Sequence, residues 1–339
     1  MAAGSHRPVV FSGIQPSGHL HIGNYLGAIQ QWVALQDDRT SFICIVDLHA
    51  ITVHQDAAKL SVQTRELAAL LLAAGIDPSR TTLFVQGHVR AHAEASWLLS
   101  CVTPLGWLER MTQYKDKSAR QSSVLTGLLT YPVLQAADIL LYDAGEVPVG
   151  EDQKQHIELT RDIAQRFNHQ YGKTFVLPEP VIRRSGARIM GLDDPATKMS
   201  KSESTAKGHA ILLTDGDDEI LSAVKRATTD SGREIRFSDD PEKAGVNNLL
   251  TIYQLLRGRT RQQAEADFAG ARGYADLKKA VGEAAIETVR PIREQFVRFM
   301  DDPAELDRLL ADGACRARAV AEPKVEEVKN RLGLVPPGA

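Results

Sequence analysis

The chain has 339 residues, of which 43% are apolar, and a formal net charge of −3. This length suits one large or two modest globular domains. The slightly negative charge argues against a protein held to nucleic acid by an overall positive field, and no apolar run reaches membrane-spanning length. Cys44, Cys101 and Cys315 are far apart and odd in number. They fit reduced thiols of a cytosolic protein better than a disulfide framework or a zinc site.

The first third of the chain alternates strand-like and helical segments. The predicted elements are a strand over Pro8 to Ile14, a helix over Ile22 to Gln36, a strand over Thr40 to Val46, a helix over Ala57 to Ala74, a strand over Thr81 to Gln86 and a helix that ends at Leu99. The second strand is almost continuously apolar, as expected for a strand buried on both faces. This order predicts an α/β fold with a doubly wound parallel sheet. Ligands of such sheets bind beyond the carboxyl ends of the strands.

The rest of the chain changes from mixed to helical character. Its predicted elements are a helix over Leu128 to Leu141, a strand over Glu146 to Val149, a long helix that ends near Asn168 and two short strands between Val181 and Leu192. From Asp217 the pattern is helical almost throughout. Helix breaks are predicted at Gly232, Gly245, Gly258 and Gly273. We therefore predict a separate, all-helical C-terminal domain.

The loop after the first predicted strand combines glycines with two histidines. Gly13 to Leu20 nearly matches the phosphate-binding P-loop, but His19 replaces its lysine and Leu20 replaces the hydroxyl that binds magnesium. A P-loop ATPase is therefore disfavoured. Glycines still let a backbone approach a nucleotide, and the following helix directs free N–H groups at phosphate, with His19 and His21 as further donors. The alternative is an ordinary strand-to-helix turn with exposed histidines.

A second candidate phosphate loop lies far downstream, at Lys198-Met199-Ser200-Lys201-Ser202. Two lysines with hydroxyl groups beside them suit a mobile contact with the leaving pyrophosphate of ATP. Taken by itself, the segment is better interpreted as a solvated basic loop. Together, and in this order, the two loops predict an ATP site that activates a carboxylate.

The two loops also carry a family resemblance. The sequence His21-Ile22-Gly23-Asn24 and the downstream loop resemble the paired HIGH and KMSKS motifs of class I aminoacyl-tRNA synthetases, with Asn24 in place of the last histidine. Three further stretches are similar to the bacterial tryptophanyl-tRNA synthetase family: Phe11 to Gly18, Cys44 to Ala50 and Val147 to His156. The resemblance spans at least the chain from the first of these stretches to Ser202.

The resemblance implies a domain organisation and an activity. Residues 1–205 would form a Rossmann-like catalytic domain with the ATP site, the tryptophan site and the dimer contacts. Residues 206–339 would form a helical anticodon-binding region whose last helix packs back on the catalytic domain. The implied activity is that of a tryptophan–tRNA ligase, which converts L-tryptophan and ATP to tryptophanyl-adenylate and then charges tRNA(Trp). The family also implies a cytoplasmic homodimer without a membrane anchor.

The resemblance implies an ATP site made of four short segments and one separate residue, Ile189. ATP contacts would fall on Gln15, Pro16, Ser17, Gly23, Asn24, Gly150, Glu151, Asp152, Ile189, Lys198, Met199, Ser200, Lys201 and Ser202. Lys117 resembles the family lysine that reaches the phosphates, and it joins Gln15, His21, Lys198 and Lys201 as the expected catalytic residues. Mg²⁺ would bind with the ATP phosphates, with no separate metal site in the protein.

The amino-acid pocket would come mainly from one helix, on which Tyr131, Gln135 and Asp138 share a face. Apolar residues flank Asp138, and an isolated carboxylate in such a setting is costly. The alternative is a helix cap or a surface position. The resemblance implies that Asp138 accepts a hydrogen bond from the indole N–H and that Phe11, His49 and Gln153 complete the pocket. Gln135 departs from the family, in which methionine is common at this position.

Three other functions remain open on the sequence. A tyrosyl-tRNA synthetase shares the fold and both motifs, but it needs polar partners for a phenol oxygen. A small-molecule adenylyltransferase uses a related histidine loop, but it lacks the downstream lysine loop and the large helical domain. A non-enzymatic paralogue that binds tryptophan or tRNA is disfavoured by the presence of His21, Gly23, Lys198 and Lys201.

Overall fold

The computed structural model describes residues 7–119, 123–182, 188–200 and 208–336. The strands in this part of the chain are β1 (Val9–Ile14), β2 (Thr40–Ile45), β3 (Thr81–Val85), β4 (Glu146–Val149) and β5 (Glu179–Ile182). They form one sheet in the order β3-β2-β1-β4-β5, and all four pairings are parallel. The predicted doubly wound sheet is confirmed. The strand order reverses between β1 and β4, which is where such sheets bind ligands.

Helices surround this sheet in the first half of the chain. They are α1 (Ile22–Asn24), α2 (Gln30–Leu35), α3 (Asp47–Ala50), α4 (Ala57–Ala73), α5 (Ala91–Ser100), α6 (Leu105–Glu109), α7 (Thr112–Ser118), α8 (Thr126–Leu140) and α9 (Lys154–Tyr171). A π-helical segment, Tyr25–Ile29, joins α1 to α2, so the first predicted helix exists but is not regular. Asp56 begins α4 as a cap, since its carboxylate accepts a hydrogen bond from the Ala58 N–H.

The second half is helical, as predicted. Its helices are α10 (Asp217–Arg226), α11 (Ala244–Leu256), α12 (Arg261–Ala266), α13 (Tyr274–Asp301) and α14 (Pro303–Arg331). Gly258 follows α11 with φ +60°, and Gly273 precedes α13. The break predicted at Gly245 is wrong, because this glycine lies inside α11. A Cβ there would collide with the carbonyl oxygen of Thr228, so its small size serves packing.

The predicted pair of strands between Val181 and Leu192 also needs correction. One strand, β5, begins at Glu179 and ends at Ile182. Its four residues pair with the four residues of β4. Residues 183–187 of the predicted segment lie outside the described residues. Farther on, Met190 forms an isolated antiparallel pair with Lys198. The second predicted strand is therefore one arm of a hairpin and not part of the sheet.

The C-terminal helices pack on the first half of the chain. Helix α13 contacts α4 and α10, and α14 contacts β3 and α5. A Cβ at Gly313 of α14 would collide with the Leu83 carbonyl oxygen of β3, so glycine permits this close approach. Both buried apolar clusters contain residues from before and after position 206. No helix in the described ranges is both long enough and apolar enough to span a bilayer.

Candidate active site

A cavity of about 650 Å³ opens beyond the carboxyl ends of β1 and β4. This is the position expected for a ligand site in a parallel sheet whose strand order reverses. Ten residues of the predicted site line it: Phe11, Gln15, His49, Lys117, Tyr131, Gln135, Asp138, Gly150, Asp152 and Gln153. The structure therefore brings together residues that are far apart in the sequence. They come from both the predicted ATP site and the predicted amino-acid pocket.

Asp138 lies in the wall of this cavity with only 1% of its surface exposed. Its Oδ1 lies 2.6 Å from both Gln86 Nε2 and His92 Nδ1, and its Oδ2 lies 2.8 Å from His49 Nε2. A carboxylate offers about four lone-pair positions, so these three donors, all that the described residues supply, leave one acceptor position on Oδ2. Its burial excludes the surface alternative, and its position inside α8, between the caps Leu125 and Leu141, excludes the helix-cap alternative.

The charge of Asp138 is stabilised by these partners. Burial raises the pKa of the carboxyl, but the neighbouring His49 and His92 outweigh burial and lower that pKa to about 2. Asp138 is therefore ionised at neutral pH. A buried carboxylate in a cavity wall, with a lone pair that none of the described residues uses, is a strong acceptor for an N–H donor of a ligand.

A second layer of residues fixes the His92 ring. Its Nε2 lies 2.8 Å from the hydroxyl of Tyr142, and burial raises the pKa of that phenol well above its usual value. The Tyr142 hydroxyl therefore stays protonated and donates a hydrogen bond to Nε2 of His92. The hydrogen of the neutral His92 ring is then on Nδ1, where Asp138 accepts it. The Tyr142 ring also stacks on Phe11, with centroids 5.6 Å apart.

The opposite part of the cavity carries polar groups around Tyr131. The Tyr131 hydroxyl donates to Gln113 Oε1 at 3.1 Å and lies 2.8 Å from His156 Nε2. Burial lowers the pKa of His156 to about 4, with a further contribution from the charge of Lys117. The Lys117 Nζ lies 5.7 Å from the Tyr131 ring centroid. This arrangement places a cation and a set of neutral hydrogen-bonding groups at one cavity.

Gln135 and Gln153 face each other in the same cavity. The Gln135 Nε2 lies 3.5 Å from Gln153 Oε1, a long hydrogen bond. Gln153 in turn donates to the carboxylate of Asp152 at 3.0 Å. The polar departure at Gln135 is therefore accommodated by a second polar side chain.

The first motif lies beside this cavity and contacts the downstream hairpin. His21 is buried, whereas His19 is exposed, so the alternative of exposed histidines holds for His19 alone. The Asn24 Oδ1 accepts a hydrogen bond from the His21 N–H at 3.1 Å. A Cβ at Gly23 would lie 2.9 Å from His21 Nδ1 and 3.4 Å from the Cβ of Ile189. Pro16 is buried and Ser17 is exposed.

The downstream motif begins in a hairpin over residues 189–199, which we call the Lys198 hairpin. Met199 N–H donates to the Ile189 carbonyl at 3.1 Å, and Gly191 N–H donates to the Thr197 carbonyl at 2.9 Å. Lys198 is exposed, Met199 is buried in the apolar core and Ser200 is half-buried. The predicted contacts at Lys201 and Ser202, and the side chain of Glu151, lie outside the described residues.

Sequence reasoning missed three residues of the cavity network. Gln86 and His92 both hold Asp138, and Gln113 lines the cavity and accepts from Tyr131. Gln86 directly follows β3, so the rule that ligands bind beyond the carboxyl ends of strands offered a signal for it. His92 lies on α5 among alanines and Gln113 lies in a charged segment, and neither position carries a local signal.

Comparisons with known proteins agree with this geometry. The family model of tRNA synthetases class I (W and Y) matches residues 4–290. A tryptophan–tRNA ligase of Wolinella succinogenes is 52% identical over 96% of this chain and 98% of its own length. Tryptophanyl-tRNA synthetase from Mycoplasma pneumoniae has a similar structure, with a TM-score of 0.86, 37% identity and coverage of 97% and 98% of the two chains.

A second solved structure is that of tryptophanyl-tRNA synthetase from Campylobacter jejuni complexed with ADP and tryptophan. It is 36% identical, with a TM-score of 0.83 over 96% of this chain and all of the other. The family match extends over most of the chain, and the relatives are matched over nearly their full length. The chain therefore belongs to the class I tRNA synthetases of the tryptophan and tyrosine family.

Proposed function

We propose that this protein is a tryptophan–tRNA ligase. It activates L-tryptophan with ATP to give tryptophanyl-adenylate and pyrophosphate, and then transfers tryptophan to the 3′ end of tRNA(Trp). The observation that carries the proposal is the unused acceptor position of the buried Asp138 carboxylate in the cavity wall. An indole N–H supplies the donor that this position lacks.

In the proposed pocket, Asp138 selects the indole and the neighbouring side chains enclose it. Phe11 supplies an aromatic wall, and Tyr131, Gln135, His49 and Gln153 supply the remaining sides. A ligand without a donor at this point leaves one acceptor position of a buried carboxylate unpaired, which is costly. Sites built to hydrogen-bond a substrate reject analogues without the group by roughly 10⁴–10⁵-fold.

The ATP site of the proposal combines the cavity with the first motif. Gln15, Gly150, Asp152 and Lys117 line the cavity. Pro16, Ser17, Gly23, Asn24, Ile189 and the segment from Lys198 to Ser202 complete the proposed set, with Glu151 beside them. Glycines at 23 and 150 let backbone and nucleotide approach closely, and the lysines bring positive charge to the phosphates.

Magnesium enters this proposal together with ATP. Mg²⁺ keeps several waters and is commonly held by one or two carboxylates and the substrate phosphates. Among the described residues no cluster of three or more His, Cys, Asp or Glu side chains is arranged for a metal ion. Asp152 and Lys117 both line the cavity, and we propose Asp152 as the carboxylate nearest the Mg²⁺-bound phosphates, since Asp138 is assigned to the indole. The ion would supply charge neutralisation there.

The chemistry needs alignment more than a reactive side chain. The tryptophan carboxylate attacks the α-phosphorus of ATP and pyrophosphate leaves. A ribose hydroxyl of the terminal adenosine of the tRNA then attacks the acyl carbon and AMP leaves. Positioning accounts for much of the rate of such transfers. Lys117 and the lysines of the downstream motif stabilise the negative charge that builds on the leaving pyrophosphate.

The proposal extends to the partners and to the division of labour along the chain. Residues 1–205 carry the chemistry, and residues 206–339 read splayed anticodon bases of the tRNA.

We also propose a cytoplasmic homodimer. Trp97 of α5 is 70% exposed and Leu105 of α6 is 58% exposed, and large apolar side chains are enriched at interfaces. Sedimentation equilibrium of wild type and Trp97→Ser tests this, and a wild-type monomer would contradict it.

ATP–pyrophosphate exchange with purified protein tests the proposed activity. Tryptophan and tyrosine are supplied in parallel reactions. Exchange that depends on tryptophan alone is expected, because relatives at 52–53% identity are tryptophan–tRNA ligases. Exchange with tyrosine would assign the sister activity, and a folded protein without exchange would favour a binding paralogue. Charging of a tRNA(Trp) transcript then tests the second step.

A further inference from the structure

In the Lys198 hairpin, the backbone N–H and C=O groups of Met190 are directed away from the opposite strand. Met190 lies opposite Lys198 as an antiparallel pair, and the hairpin bonds from Met199 and Gly191 lie on either side of that pair. A residue in such a non-hydrogen-bonded position directs its N–H and C=O away from the partner strand. Backbone groups in a packed structure need partners, so those of Met190 must find them outside the hairpin.

Asn248 of α11 supplies both partners. Its Oδ1 accepts from the Met190 N–H at 2.9 Å, and its Nδ2 donates to the Met190 carbonyl at 2.9 Å. The same Nδ2 lies 3.4 Å from the carbonyl oxygen of Gly191. Asn248 is only 5% exposed. Its amide therefore extends the hairpin laterally, as a neighbouring strand would, and attaches it to the helical half of the chain.

We propose that Asn248 is a positioning residue for adenylate formation. It acts on the reaction through the Lys198 hairpin, which carries Lys198, a residue assigned to the phosphates. The inference rests on the proposed function, because the hairpin matters for chemistry only if these lysines meet ATP. Loss of the amide leaves the outer edge of the hairpin without its side-chain hydrogen bonds and shifts the position of Lys198. The tryptophan pocket should not change, because none of the described partners of Asp138 is Asn248.

The adjacent residue provides a matched control. Asn247 makes the same pair of bonds from the same helix: its Oδ1 accepts from the Ser238 N–H at 3.0 Å, and its Nδ2 donates to the Ser238 carbonyl at 2.6 Å. Ser238 is not part of the hairpin. Replacement by leucine removes the pair of bonds to Met190 or to Ser238 and nearly conserves volume; at position 248 it also removes the 3.4 Å contact with the Gly191 carbonyl. A general loss of stability should therefore appear in both variants, whereas a positioning effect should appear only at Asn248.

The test measures tryptophan-dependent ATP–pyrophosphate exchange of the full chain, with tryptophan affinity determined separately by calorimetry. Asn248→Leu is expected to lower the kcat of exchange by about 10- to 100-fold, since small misplacements of reacting groups cost this much. Its tryptophan Kd should not change. Asn247→Leu should leave both quantities unchanged. Amide-hydrogen exchange of peptides covering residues 189–200 should become faster in the Asn248 variant alone.

The outcomes distinguish a failure of the proposed ligase function from a failure of the proposed role of Asn248. An inactive wild type would overturn the proposed function and, with it, this inference. An active wild type with equal rates in the two leucine variants would overturn the inference alone. If Asn248→Leu does not fold, Asn248→Ser retains a small polar group and removes at least one of the two bonds. Wild-type exchange kinetics and wild-type hydrogen exchange in that variant would also overturn it.

Discussion

Nε2 of His49 and Oδ2 of Asp138 lie 2.8 Å apart in the wall of the cavity. The other carboxylate oxygen already accepts from two fully buried donors, Gln86 and His92. In the part of the chain that the structure describes, Oδ2 accepts from His49 alone, so this oxygen keeps a lone pair for a ligand. The network fixes the carboxylate from behind and leaves one directed acceptor for a ligand, which is the arrangement expected of a selective N–H contact.

Asp138→Asn tests this contact. The substitution conserves shape but removes the charge and one acceptor. Because hydrogen bonds to charged groups contribute about 1.5–3 kcal/mol, tryptophan affinity should fall about 10- to 100-fold. Calorimetric titration with tryptophan measures the change. Asp143→Asn is the control, since Asp143 is not in the cavity lining and its φ of 49° is one that asparagine adopts readily. Unchanged tryptophan affinity in a folded Asp138→Asn protein would remove Asp138 from the pocket.

The sequence predicted the sheet because strands such as β2 are continuously apolar and alternate with helices. It placed Tyr131, Gln135 and Asp138 on one face because helix periodicity relates them. It did not predict that Gln86 and His92 hold Asp138, because these contacts join segments about 50 residues apart and depend on how α5 packs on α8. The contact between Asn248 and Met190 could not be predicted for the same reason, since the two residues lie 58 positions apart in the sequence. Local patterns predict elements, whereas tertiary contacts complete the site.

Lys117→Ala tests the cation of the cavity. Lys117 lines the cavity, whereas Lys115, on the same short helix α7, does not. Removal of a charge that stabilises the leaving pyrophosphate should lower the kcat of tryptophan-dependent exchange by about 10²–10³-fold. Lys115→Ala should retain wild-type exchange. Initial rates at saturating ATP measure both. Equal rates for the two variants would show that Lys117 has no specific role at the phosphates.

Gly23→Ala tests the packing of the first motif. An added Cβ lies 2.9 Å from His21 Nδ1, which is closer than ordinary contact, and 3.4 Å from the Cβ of Ile189. The His21 ring must shift, so we expect the kcat of exchange to fall by about tenfold or more. Gly27→Ala is the control from the next turn, because a Cβ there meets nothing within 4 Å. It should retain activity and gain up to about 1 kcal/mol of stability from helix propensity. Comparable activity losses at both glycines would contradict the packing argument.

The stability of the protein should depend on pH through His156. This side chain is buried, and burial lowers its pKa from 6.5 to about 4. Among the described residues none hydrogen-bonds its Nδ1, so a second proton on the ring would be buried without a partner. Because the pKa is lower in the folded state, the unfolded chain binds the proton more readily between pH 6.5 and 4. The contribution of neutral His156 is thus complete above pH 6.5 and is lost as the pH falls toward 4.

Denaturant unfolding at a series of pH values measures this dependence. The loss of unfolding free energy across the window should reach about 3 kcal/mol for this group. His156→Gln keeps a hydrogen-bonding atom near the Tyr131 hydroxyl but does not titrate, so its stability should fall less between pH 6.5 and 4. His169→Gln, at an exposed position of the same helix α9, controls for the replacement itself. If wild type and His156→Gln lose stability in parallel over this range, the low pKa of His156 is not the cause.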